Sequence, residues 1–281
     1  MDLTKVRLDK GEVVETKLPG DKNDPYIPCM IHTDNTVYMM DMNNKSIKCL
    51  DVASRTITQS LTLDVTPWRM TLCCDGQTLA ITTGLSKTII FVKDMRVTTR
   101  ASVKRVYKGV AGLPSQRLVV GCGEDRDGPA TIDIIDYRGN VLHTLMTSHT
   151  NIPDTEVTLE CPRYLHYNDT NNELLVSDYW ADSVHRINMS NNEVLPSLTH
   201  PQIKDPCQIT TDHHGHLAVA SWLGQCVLVW SESGGWRTLA TGQDHGQGEF
   251  VCPLAVCLTD SGHVIIAWYN YGRTVVKIYD N

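Results

Sequence analysis

The chain has 281 residues, of which 41% are hydrophobic and 20% charged, and a formal net charge of −7. Those totals exclude a disordered tail, and no apolar run approaches the ~18 residues that a membrane helix requires. A pI near 5.8 also excludes a surface built to neutralise a polyphosphate along its whole length.

The first segment, MDLTKVRLDKGEVVETKLP, alternates polar and apolar residues and lacks the apolar block of a secretory signal, so a cytoplasmic setting is expected. In that reducing setting the ten cysteines are read as free thiols that serve as small buried apolar groups. No C-x-x-C spacing occurs among them.

Beyond this segment, proline-led steps recur at intervals of about 45 residues: Pro28-Cys29, Pro67-Trp68, Cys161-Pro162, Pro206-Cys207 and Cys252-Pro253. Between Pro67 and Pro162 one step lacks its proline, and Lys108-Gly109-Val110-Ala111-Gly112 stands in its place. Six units result. In chain order their first strands are CMIHT, RMTLCC, GVAGL, YLHYN, QITTD and LAVCLT, each leading to a tight turn such as Cys74-Asp75-Gly76, Asn171-Asn172 or Ser261-Gly262. More apolar second strands follow: TVYMMD, TLAITT, RLVVGC, LLVSD, LAVAS and VIIAW. The third strands, SIKCLDV, TIIFV, TIDIID, VHRIN, CVLVW and VVKIYD, include several with the alternation of half-buried strands. Fourth strands such as TITQSLTL, NVLHTLM and WRTLAT are weaker.

Four short antiparallel strands per unit of about 45 residues is the pattern of a propeller blade. The expected fold is therefore all-β, a six-bladed β-propeller in one domain spanning 1–281. Its blades cover about 27–64, 66–105, 106–150, 161–200, 206–242 and 252–281. The last unit stops at its third strand, and segment 12–19 is expected to complete it, because an unclosed sheet leaves an edge open to other chains.

The fourth unit, CPRYLHYNDTNNELLVSDYWADSVHRIN, resembles the NHL repeat: a proline-led inner strand, a turn, an apolar strand ending in Ser-Asp, a short loop and a strand with an Arg-Ile step. PCQITTDHHGHLAVASWLGQCVLVW and CPLAVCLTDSGHVIIAWYNYGRTVVKIYD are degraded versions, and the first three units match in layout only. The chain thus resembles the NHL-type propellers that follow RING, B-box and coiled coil in tripartite-motif ubiquitin ligases. That resemblance implies recognition of a protein substrate or of RNA, with no catalysis by the propeller itself. The sequence departs from it in two ways: it carries no Cys/His zinc spacing of the RING or B-box kind, and it is acidic where RNA-binding members have a positive face.

In a propeller, the loops between second and third strands open on the same face as the starts of the inner strands. Those loops hold Tyr179 and Trp180, Trp222, and Trp268, Tyr269 and Tyr271, while the inner-strand starts add Trp68, Arg69, Arg163 and Gln208. Each aromatic could serve as a wedge between blades. Together with the arginines they are expected to form a partner-binding face, since Tyr, Trp and Arg are the residue types enriched in binding hot spots. A protein or peptide partner is the leading expectation. The alternative is RNA, stacked on the same aromatics beside Arg69 and Arg163 or held by the basic 87–108 segment.

That segment carries Lys93, Arg96, Arg100, Lys104, Arg105 and Lys108 as a local basic patch, for which a solvated, protected blade edge is the plainer reading. His213-His214-Gly215-His216 is read as a solvated turn with no acidic ligand close by. No nucleophile motif or phosphate loop emerges, and no metal or cofactor is expected. Propeller lactonases and lyases need carboxylate, Asn or His ligands from several blades, and here the inner strands begin with Trp68, Arg69, Arg163 and Gln208 instead. The isolated domain is expected to be a monomer without membrane contact.

Overall fold

The computed structural model describes residues 1–8, 11–123, 128–148, 158–245 and 251–280. Positions 149–150 and 281, at the ends of two expected blades, lie outside them. Among the described residues are twenty-four β-strands, one 3₁₀ turn (Gly242–His245) and no α-helix.

Strand β1 is Glu12–Val14. One sheet follows as β2 (Cys29–Thr33), β3 (Thr36–Asp41), β4 (Ser46–Asp51) and β5 (Thr56–Thr62), and a second as β6 (Pro67–Leu72), β7 (Leu79–Thr83), β8 (Thr88–Lys93) and β9 (Arg96–Ser102). The third contains β10 (Gly109–Leu113), β11 (Arg117–Cys122), β12 (Thr131–Asp136) and β13 (Val141–Thr147). The fourth contains β14 (Pro162–Asn168), β15 (Glu173–Asp178), β16 (Ser183–Asn188) and β17 (Glu193–Leu198). The fifth contains β18 (Pro206–Thr211), β19 (Leu217–Ser221), β20 (Cys226–Ser231) and β21 (Gly235–Thr241). The last consists of β22 (Val251–Leu258), β23 (Val264–Asn270) and β24 (Arg273–Tyr279), with β1 as its fourth member. Antiparallel pairing of Glu12 with Ile278 and of Val14 with Val276 closes that sheet with the N-terminal strand, as expected from the sequence.

The chain divides into two compact units, residues 66–199 and residues 1–65 with 200–281, each holding three of the sheets. In both, the outermost strand of each sheet is its least buried. Strands β7, β15 and β19 are buried along their whole length, so they read as continuous apolar runs, whereas β5, β9 and β13 are largely exposed. Two outer strands were not among those read from the sequence. β9 carries two arginines and two threonines on an exposed edge, and β17 contains Pro196, which only an edge strand tolerates.

Within 66–199, β10 packs against β6 on one side and β14 on the other. The approach is close enough to require glycine. A Cβ on Gly112 would meet the Leu72 carbonyl oxygen at 2.2 Å, and one on Gly121 the Pro162 oxygen at 2.7 Å. The cores between these sheets are formed by Ala80, Phe91, Val110 and Val120, and by Val119, Ile132, Leu174 and Val176. In the other unit, Met30, Met39, Leu254, Ile265 and Val276 share one core with Val14 of the closing strand.

A buried polar residue at the end of a second strand recurs as a tether for the chain entering the first. Asp178 accepts the backbone N–H groups of Glu160 at 2.8 Å and Cys161 at 2.7 Å. Asp41 accepts that of Tyr26, and Ser221 that of Lys204. Asp41 also helps to hold a fully buried cation: Lys48 Nζ donates to Asp41 at 2.7 Å, to Asp21 at 2.6 Å and to the Thr16 carbonyl at 2.7 Å. The loop running on from β1 is fixed by these bonds.

Candidate recognition site

The proline-led steps produce a local irregularity. Register slips between Pro67 and Arg69 and between Pro162 and Tyr164, leaving Trp68 and Arg163 as the extra residues of two β-bulges. A bulge bends its strand and re-aims a side chain, and proline cannot donate to the ladder at that point. The same slip follows Pro206 and Pro253.

In the 66–199 unit these bulges bring cations and aromatic rings together. The Arg163 guanidinium carbon lies 5.3 Å from the Trp68 ring centre and 4.5 Å from that of Tyr179. Arg69 stacks 3.8 Å above Tyr164 and lies 5.7 Å from Trp68, and Lys108 Nζ is 5.9 Å from the same indole. One face of Trp68 is backed by Gly84, where a Cβ would overlap the ring at 2.4 Å. Tyr179 is held beside Arg163 because its N–H donates to the Cys161 carbonyl at 3.0 Å. Trp180, next in the turn between β15 and β16, is 59% exposed.

The electrostatics are one-sided. Burial pushes the Cys161 thiol up, against the pull of Lys108, Arg163 and Arg69, so three cations act on one buried sulfur. Asp178 adds to the rise, yet its oxygens are taken by the N–H groups of Glu160, Cys161 and Ala181. Arg69 is only 3% exposed, and its guanidinium donates to the neighbouring Trp68 carbonyl.

Five of the expected face residues, Trp68, Arg69, Arg163, Tyr179 and Trp180, thus lie in this unit. The other four, Trp222, Trp268, Tyr269 and Tyr271, lie in the unit of residues 1–65 and 200–281. Trp222 and Tyr269 rings pack at 5.1 Å, and Tyr26 meets Tyr269 edge-on at 5.7 Å, all three against the core beneath. Tyr271 is 75% exposed. Trp268 and Tyr269 must be corrected: both belong to β23, not to a loop, and Trp268 is 1% exposed with its indole N–H donating to the Tyr279 hydroxyl at 3.1 Å. Gln208 is likewise engaged, by the backbone of Met30.

The basic set also separates. Arg96, Arg100 and Lys104 are exposed, and Lys93 lies 3.7 Å from Asp75. Arg105 is buried, donating to the carbonyls of Gly128 and Pro129 and to the Thr131 hydroxyl, so it is a structural strut and not part of a surface patch. Lys108 leaves the patch for the aromatic cluster. Tyr164, which completes that cluster, was read only as a strand residue; its place immediately after the bulged Arg163 is the signal that could have found it.

Around His216 the sequence reading is also corrected, since Asp2 and Asp212 are near enough for their ligand atoms and that of His216 to lie within 4.8 Å of one another. Asp212 there accepts the N–H groups of Leu3, His214 and His216, which makes it a turn cap. Among the described residues no helix is long and apolar enough to cross a membrane.

No family model matches the sequence, and no curated protein matches it. Solved structures do. A streptogramin B lyase superposes with a TM-score of 0.66 at 13% identity, covering 97% of this chain and 98% of that one. The WD40 β-propeller domain of Doa1 gives 0.62 at 11%, covering 91% and 79%. A chain of a nidogen/laminin complex gives 0.61 at 17%, covering 78% and 80%. At such identities the likeness concerns the fold alone: this chain is an all-β propeller of six four-stranded blades.

Proposed function

We propose that this propeller is a non-catalytic recognition module that holds a protein or peptide partner on the Trp68, Arg163, Tyr179 and Trp180 surface of the 66–199 unit. The observation that carries the reading is Trp180, 59% exposed beside a Tyr179 ring already braced by Arg163. An exposed indole that follows an arginine-stacked tyrosine in the same turn has the composition and pre-ordering of a binding hot spot. Following the NHL resemblance, the module would recruit substrates for a tripartite-motif ubiquitin ligase in the cytoplasm.

Propellers of similar fold include both a WD40 domain and a lyase, so fold alone does not choose between binding and catalysis. The side chains gathered in this unit favour binding: they are cations and aromatics, and Asp178 is engaged with backbone N–H groups. Such a cluster repels the divalent ion that propeller lyase chemistry of the metal-dependent kind needs. RNA stacking has less support, because guanidinium groups already cover faces of Trp68, Tyr164 and Tyr179.

A photoreactive phenylalanine analogue placed at position 180 tests the reading against the same analogue at Val97, on the exposed outer strand β9. A protein cross-linked in cell extract from position 180 and not from 97, and lost when Arg163 is changed to alanine, is the expected result. Equal labelling from both positions overturns it.

A further inference from the structure

Resting on that reading, we propose that the cluster of Arg69, Lys108 and Arg163 around Trp68 takes a carboxylate presented by the bound peptide. The partner segment would be acidic, with one Asp or Glu side chain seated among the three cations and its flanking residues lying toward Trp180.

Charge is the first argument. Three cationic side chains surround one indole, and among the described residues neither Arg69 nor Lys108 forms an ion pair. Like charges held this close, in a part of the molecule where Arg69 is 3% exposed, are unfavourable until an anion neutralises them. The neighbouring carboxylate cannot do so, since Asp178 faces the N–H groups of Glu160, Cys161 and Ala181.

Unmet donors are the second. Among the described residues Arg69 Nε and Trp68 Nε1 are buried with no hydrogen-bond partner, although about nine in ten buried polar groups in native proteins have one. Both groups can only donate, and a carboxylate brings two acceptor oxygens.

Shape is the third. A nucleic acid strand needs a track of cations and free ring faces, whereas here the cations converge on a single indole and the rings are covered. A chain of net charge −7 adds long-range repulsion against a polyanion and little against one acidic side chain.

The test uses the full 281-residue chain and fluorescein-labelled peptides read by anisotropy. The probes are an amidated (Glu-Gly)4 peptide, its (Gln-Gly)4 counterpart with amidated or free C-terminus, and octauridylate. Expected is at least tenfold tighter binding of the Glu peptide than of the amidated Gln peptide, and a loss of at least tenfold in K108Q and in R163M. Arg69→Met is read only alongside its thermal melt, because burial makes it the variant most at risk of misfolding; Lys108 and Arg163 are partly exposed and carry the result independently. If the Gln peptide gains the same affinity through its free C-terminus, the cluster takes a terminal carboxylate, which also supports the proposal. Equal binding of the two amidated peptides, or tighter binding of octauridylate, overturns it. Should cross-linking from position 180 succeed while the Glu peptide fails, the carboxylate is refuted and the recognition surface stands.

Discussion

Gln208 holds the peptide of Met30 as a neighbouring strand would: its Nε2 donates to the Met30 carbonyl at 2.5 Å and its Oε1 accepts the Met30 N–H at 2.9 Å. Met30 lies on β2, the first strand of its sheet, so its outward-facing backbone groups have no strand beside them. A single amide side chain supplies both missing partners. Gln208→Leu strands two buried backbone groups and is expected to cost about 2–6 kcal/mol, at roughly 1–3 kcal/mol for each unsatisfied group. Urea unfolding measures it; a change below about 0.5 kcal/mol, the range of an inert surface substitution, would show the strut to be dispensable.

Lys48, fully buried, is the cation that joins the Asp21 and Asp41 carboxylates and the Thr16 carbonyl. Lys48→Met removes the positive charge and leaves Asp21 and Asp41 facing each other, with an expected loss of about 3–5 kcal/mol. Adding Asp41→Asn should recover part of the loss. If the double variant is no more stable than the single one, repulsion between the carboxylates is not what Lys48 relieves.

All ten cysteines are free, and nine are buried, Cys74 being the exposed one. Burial raises the thiols of Cys49, Cys73 and Cys226 to about 11 and those of Cys252 and Cys257 to about 12, so few thiolates exist at neutral pH. Titration with a thiol-reactive chromophore should find one fast site in the native protein and ten after denaturation. Cys74→Ser should abolish the fast phase; a second fast thiol would mean that a buried site opens readily.

Trp268 and Trp180 are a matched pair for separating packing from recognition. Trp268→Ala empties a 1% exposed site and removes the hydrogen bond to the Tyr279 hydroxyl, with an expected cost of about 3–5 kcal/mol. Trp180→Ala, on a 59% exposed turn residue, should change stability by no more than about 0.5 kcal/mol while abolishing retention of the partner from cell extract on the immobilised chain. Unfolding and capture measured on both variants decide whether the distinction holds.

The six-unit layout was legible in the sequence because each unit repeats one physical problem, a proline-led strand followed by an apolar strand and a polar turn. Even the bulges at Pro67 and Pro162 leave a trace, as proline at the ladder position where an N–H is dispensable. Trp268 was misplaced for a different reason. β23 runs on through Asn270, and nothing in VIIAWYN marks where pairing ends, so side-chain direction at a strand end depends on a register that only the partner strand decides. Arg105 and Lys108 were grouped by nearness in sequence, yet the first turns toward the carbonyls of residues 128–129 and the second toward Trp68. Such destinations are tertiary facts. The convergence of Arg69, Lys108 and Arg163 on one indole belongs to the same class, since each comes from a different sheet or linker.

The pairing of β1 with β24 makes one blade out of the earliest and the latest strands of the chain. During synthesis Glu12–Val14 leaves the ribosome long before Arg273–Tyr279 exists, so every other sheet can pair locally while this one waits. Val14 and the Thr16 carbonyl that receives Lys48 must wait with it. Completion of the last blade is thus the step of highest contact order, and the unpaired edge of β24 is the surface that a chaperone, or another nascent copy, would meet first.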